Sequence, residues 1–231
     1  MNNLDLVSFI CLILFFIFIK VIMRKPVKVR DTFLKVQLLI VLIYNIGIII
    51  VFPYKVPVEF STLSYFLVPI IVLFNIKELR IWAVYTALLS GVIYYISMIL
   101  YGTTLYGHFP VYSVVTSLFN HGSLLAYALV SLGNYEFKKS ESKIIRFGLL
   151  LNAGWALSIR QLVLHPGRIF IYEILDGWIV TTFFPNMLYV FYPIYYVSLV
   201  YVLFMSPKVI FGLRRLLQPK TTQIQEEYSP V

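Results

Sequence analysis

Charge and cysteine are what this sequence has least of. Only 13% of its 231 residues are Asp, Glu, Lys or Arg, and 60% are hydrophobic, whereas a soluble domain carries about 25% charged and roughly 45 to 50% apolar residues. Polar side chains are too few to wrap a core of this size, so the outside of the fold must face something other than water. The single cysteine, Cys11, lies inside an apolar run and excludes an intrachain disulfide framework and a cysteine-based metal cluster. A Walker loop, a dinucleotide fingerprint and a His-Glu-x-x-His helix are also missing, which leaves ATP hydrolysis, Rossmann redox chemistry and a familiar zinc site without support. His108, His121 and His165 are too scattered to imply a metal, and nothing calls for a cofactor.

What is present is a series of long apolar runs with a mean hydropathy of +0.87. A spanning helix needs about 20 mainly apolar residues. Seven runs of about that length fall at 6–23, 35–52, 57–76, 81–101, 110–132, 144–164 and 185–205, predicting an all-α transmembrane bundle of seven spans, with six as the alternative. Asp5 before the first run and Arg24, Lys25, Lys28 and Arg30 after it suit a retained helix better than a cleaved signal. Pro57, Pro110 and Pro185 stand where the first turn of a helix tolerates proline. The stretch 169–184 carries Glu173 and Asp176 and reads as an interfacial or re-entrant helix. Residues 1–220 form one domain on this reading, and the polar tail 221–231 is expected to be disordered.

The net charge of +9 is concentrated in short connections. Sixteen of the nineteen Lys and Arg residues lie at 20–35, 77–80, 138–146 and 208–220, leaving Lys55, Arg160 and Arg168 on the other connections. Cytoplasmic loops retain such residues, so the N-terminus is expected outside and the C-terminus in the cytoplasm. A nucleic-acid surface is excluded, because the basic residues do not share one solvated face. Tyr101, Tyr106 and Tyr112 suit an interfacial aromatic belt.

The fifth run sets Ser113, Thr116, Ser117, Asn120 and His121 on one helical face. A second stripe comprises Thr86, Ser90, Tyr94, Ser97 and Tyr101; the sixth run adds Asn152 and Arg160, and the second Gln37, Tyr44 and Asn45. Together they are expected to line a polar cavity open towards the outside. Ser and Thr stripes more often pack helices together, but an ionisable group inside a span is a functional candidate by default. His121 lies eleven residues beyond Pro110, roughly 16 Å down the helix and near the midplane. Arg160 is close enough to a helix end to anchor there, with Glu59, Glu173 or Asp176 as its partner.

The chain resembles the YwaF-like integral membrane proteins of bacteria. The resemblance rests on the run from Val56 to Ser61, on Phe109 and Pro110, and on Phe119, Asn120, His121 and Gly122. It departs from that family's Leu-Pro-Leu-His-Leu-Cys stretch, where Val56, Pro57, Val58, Glu59, Phe60 and Ser61 stand here. More distant relatives implied by the resemblance are intramembrane acyltransferases and hydrolases of fatty-acid esters. It therefore implies Ser61 or Thr62 as nucleophile and His121 as base, with Asn120, Asn152 or Arg160 holding an oxyanion or head group, and Glu59 and Asn45 lining the substrate site. Lipid is the expected partner. A small transporter or flippase, with Pro69 and Pro193 interrupting spans and a homodimer supplying symmetry, is the second class. A non-catalytic protein that binds another membrane protein is the third.

Overall fold

The computed structural model describes residues 4–52, 57–107, 109–134, 138–160, 172, 174, 176–208, 210 and 212–213. Eight α-helices lie among them: α1 (Leu4–Met23), α2 (Val27–Val51), α3 (Phe60–Leu73), α4 (Arg80–Tyr106), α5 (Val111–Asn134), α6 (Ser142–Ile159), α7 (Trp178–Phe183) and α8 (Leu188–Met205). Single 3-10 turns at Lys77–Leu79 and Lys139–Glu141 lead into α4 and α6. The described residues contain no strand.

Every expected apolar run holds a helix, but the boundaries differ in ways that sequence chemistry explains. The second helix starts at Val27 rather than Lys35, directly after Pro26, so Lys28, Arg30 and Lys35 ride on its first turns. Long cationic side chains are good helix formers and can stay wet at a helix end. Pro57 and Pro185 do not open their helices: α3 starts at Phe60 and α8 at Leu188. Glu59, the residue before α3, keeps an extended backbone, so that helix begins three residues after Pro57. Pro110 does immediately precede α5. Pro69 and Pro193 lie inside α3 and α8 as expected.

Among the described residues four helical stretches are long and apolar enough to cross a membrane: Leu4–Met23, Val27–Val51, Lys77–Thr104 and Val111–Asn134. Shorter apolar helices are Phe60–Leu73 and Leu188–Val202. With 14 residues, α3 rises only about 21 Å. Residues 178–183 form one six-residue helix, too short to span. Residues 169–171, Glu173 and residue 175 of the segment 169–184 lie outside the described residues, as do the tail 221–231, Lys55, His108, His165 and Arg168.

The centre of the bundle is α4, which packs against α1, α3, α5 and α6, while α2 closes against α3 and α5. Its apolar core includes Leu38, Val68, Val84, Met98, Leu124 and Ile145. Two glycines set helix spacing. A Cβ on Gly91 would lie 2.6 Å from the Cβ of Leu125, and one on Gly148 would lie 2.5 Å from the Trp82 ring, so α5 and α6 approach α4 only because side chains are absent there. At the opposite end of α4, the backbone N–H of Thr103 donates to Asp5 Oδ1 at 2.7 Å, fastening the start of α1.

Outward faces are apolar. Val111, Val115 and Phe119 make an exposed stripe on α5, and Ile10, Ile13 and Ile17 another on α1. A soluble surface does not carry continuous apolar stripes of this kind, whereas lipid covers them at no cost. Lys35, in the third turn of α2, and Arg80, at the start of α4, line one cavity, so basic residues from separate connections lie on the same side.

Candidate functional site

The polar residues expected to share a site do not gather in one, and polar side chains cluster at three places in the fold. At mid-bundle, α5 places His121 against α3 and α4. Its side chain is buried at 5% exposure, and Nδ1 lies 3.0 Å from the carbonyl oxygen of Ser90. A carbonyl oxygen only accepts, so Nδ1 carries the hydrogen and Nε2 of the neutral ring keeps its lone pair. The Tyr94 ring stacks on the imidazole at 3.8 Å between centroids, and the Tyr65 ring meets it edge-on at 5.3 Å. Ser90 Oγ in turn donates to Ser64 Oγ at 3.3 Å, and Ser64 Oγ donates to its own helix at the Phe60 carbonyl, 2.8 Å away. Asn120 is buried beside His121 in sequence, at 5% exposure.

The hydroxyls expected as nucleophiles make other contacts. Thr62 Oγ1 donates to the Glu59 carbonyl at 2.8 Å, closing the first turn of α3, and neither Ser61 nor Thr62 is hydrogen-bonded to His121. Ser64 and Tyr65, which sequence reading passed over, are the α3 residues connected to the histidine. Tyr65 is four residues past Ser61 and shares its helical face, and that spacing was the available signal.

Four of the other stripe residues bond their own backbone. Asn45 Nδ2 donates to Val41 O, Thr86 to Ala83 O, Ser97 to Tyr94 O and Thr116 to Tyr112 O. Tyr44 alone among the α2 candidates reaches across, donating to Thr116 Oγ1 at 3.3 Å. These bonds are what packing helices in lipid require, since each hydroxyl is satisfied without a ligand.

The second place is the far end of α6. Arg160, half exposed, pairs with Asp176 through both terminal nitrogens, Nη1 reaching Oδ1 at 2.8 Å, and its guanidinium lies over the Tyr172 ring at 5.0 Å. Tyr172 donates to the Ala156 carbonyl, and Trp155 Nε1 donates to the Pro57 carbonyl at 2.9 Å. Val58 packs with Ala156 and Ile159. This cluster joins α6 to the segment before α3, and Arg160 anchors it. The Arg160 hydrogen bond holds the Asp176 carboxyl below its ordinary value. Asn152, one of the expected ligands, is buried in α6 at 7% exposure, and its Oδ1 has no hydrogen-bond partner among the described residues.

The third place is a cavity of about 220 Å³ at the basic end, lined by Asp31 and Lys35 of α2, Asn75 after α3, Arg80 of α4, and Ser131 and Asn134 of α5. It was not anticipated: those residues read as loop charge and helix-end polarity. Among the described residues no three His, Cys, Asp or Glu side chains converge as metal ligands. No family model, curated protein or solved structure matches the chain.

Proposed function

We propose that this is a multi-pass membrane protein of the bacterial cytoplasmic membrane that handles lipid, with His121 offering a hydrogen-bond acceptor inside the bundle. The observation that carries the reading is the Nδ1–H bond to Ser90, which leaves Nε2 uncommitted in a lipid-clad helical core. A mid-span histidine used for packing alone is replaceable by a smaller apolar residue, whereas one used for recognition is not. The positive connections support a topology with the N-terminus outside, seven passes, and α3 completed by its flanking residues.

Binding is favoured over acyl transfer. Acyl chemistry needs a nucleophile in hydrogen-bond reach of its base, and Thr62 is committed to the Glu59 carbonyl. The acyl hydrolase or acyltransferase reading retains one supporting feature, the same Nε2 lone pair, fixed by an orienting bond on the opposite nitrogen as a general base requires.

Mass spectrometry of native membrane lipids incubated with the reconstituted protein and with His121→Ala tests both. Co-purified lipid lost in the variant, with no new lipid species, is the expected result. Lyso-lipid, free fatty acid or a transferred acyl chain made by the wild type alone establishes the acyl reading. An identical lipid complement and stability for the two proteins overturns both.

A further inference from the structure

The basic-end cavity is separate from the histidine. Ser131 lies ten residues beyond His121 on α5, roughly 15 Å along the axis. Two cations, Lys35 and Arg80, face one carboxylate, Asp31, so the wall is positive. Arg80 Nη2 donates to Asn75 Oδ1 at 2.9 Å, which fixes the guanidinium against the end of α3. Asn75 itself adopts a positive φ of 53°, a conformation asparagine tolerates and which turns the chain back toward α4.

Ser131 supplies an independent sign of a ligand. It is 1% exposed, it lines the cavity, and its Oγ has no hydrogen-bond partner among the described residues. A helical serine usually returns its hydroxyl to the carbonyl one turn back, as Ser64, Ser97 and Ser158 do in this protein. A buried hydroxyl left without a partner costs about 1 to 3 kcal/mol, and an acceptor entering the cavity would remove that cost.

Ligand chemistry follows from these groups. Fixed guanidinium, mobile ammonium and a hydroxyl donor are the set that receives a phosphoryl anion. The volume is below the ~300 Å³ of pockets that enclose whole drug-sized ligands, and therefore suits a head group rather than a complete lipid. Basic pockets between transmembrane helices bind anionic head groups in this way.

We propose that this cavity binds a phosphate monoester through Lys35, Arg80 and Ser131, with Asn75 holding the arginine in place. The source is either an anionic phospholipid of the adjoining leaflet or a soluble phosphate ester, and the proposal stands apart from the midspan reading of His121.

Native mass spectrometry of the purified full-length protein tests it, using phosphatidic acid, diacylglycerol and glycerol 3-phosphate as probes. Phosphatidic acid should bind in preference to diacylglycerol, and Lys35→Gln should weaken it about fivefold. Ser131→Ala should weaken it too, while Lys28→Gln, two turns before Lys35 on the same helical face and outside the cavity lining, should leave it unchanged. Binding of glycerol 3-phosphate with the same dependence on Lys35 supports the site and assigns a soluble source. Equal binding of phosphatidic acid and diacylglycerol, or an equal loss in Lys28→Gln and Lys35→Gln, overturns it. Lys35 is exposed, so its replacement does not endanger the fold. Phosphatidic acid retained by the wild type but unaffected by His121→Ala separates this site from the midspan one.

Discussion

His121 and Tyr94 lie ring on ring, with centroids 3.8 Å apart and planes inclined by only 8°. Stacking fixes the imidazole plane, while the Ser90 carbonyl fixes its rotation in that plane. His121→Phe keeps the stack and removes both ring nitrogens. It should cost about 1 kcal/mol in detergent-unfolding measurements, the scale of one polar contact between membrane helices, yet abolish lipid retention. A variant that unfolds outright would make the histidine structural.

Gly91 permits the closest approach of α4 to α5. Gly91→Ala places a methyl group against the Cβ of Leu125, which cannot swing away, and the His121 carbonyl lies 3.2 Å from the same position. A loss of about 1 to 3 kcal/mol is expected from overpacking, read as a lower melting temperature. Gly47 offers a control, because a Cβ there meets nothing within 4 Å.

Ser61→Ala and Thr62→Val separate binding from acyl transfer. Thr62→Val loses the bond to the Glu59 carbonyl and should cost about 1 kcal/mol. Ser61→Ala should change stability by less than about 0.5 kcal/mol. Lipid bound per protein, quantified after purification, should be the same in both variants. Disappearance of an acyl product in Ser61→Ala would restore the serine as a nucleophile.

Asp176 gives the Arg160 cluster a defined acid dependence. Its folded-state pKa is depressed below the ordinary 3.8 by the Arg160 hydrogen bond, so the pair's contribution is present above that value and fades as pH falls through the lower folded value. Both side chains are about half exposed, at 43% and 51%, so solvent screens the gain and the effect is small. Wild type should melt slightly above Asp176→Asn at pH 7, and the difference should vanish in strong acid.

The order of apolar helices was legible because lipid imposes a single requirement on every span, a run of apolar residues. Their ends were not. Lys35 looked like a boundary because charge normally marks one, but a lysine at a helix end keeps its ammonium wet, and α2 runs eight residues further back. Glu59 and Ser61 entered the expected site only through a resemblance from whose motif they depart and which no family model supports, and Thr62 beside them closes a local turn. His121 stood out as an ionisable group in an apolar run, and its burial agrees with that. Its companions were harder to identify, since Ser64 and Tyr65 differ from other Ser and Tyr residues only in which neighbours face them. The basic-end cavity gathers residues from four helices, and no spacing along one helix encodes such a meeting.

The bond between Asp5 and Thr103 joins residues 98 positions apart. At about 5 to 20 residues per second, the ribosome supplies the partner of the first helix only on the order of 5 to 20 s after that helix has emerged. During that interval α1 waits in the membrane without its dock, and Asp5 has no backbone N–H to receive. Completion of α4 is therefore the event that locks the start of the chain, and interrupting synthesis before Thr103 should leave the first helix open to extraction or proteolysis.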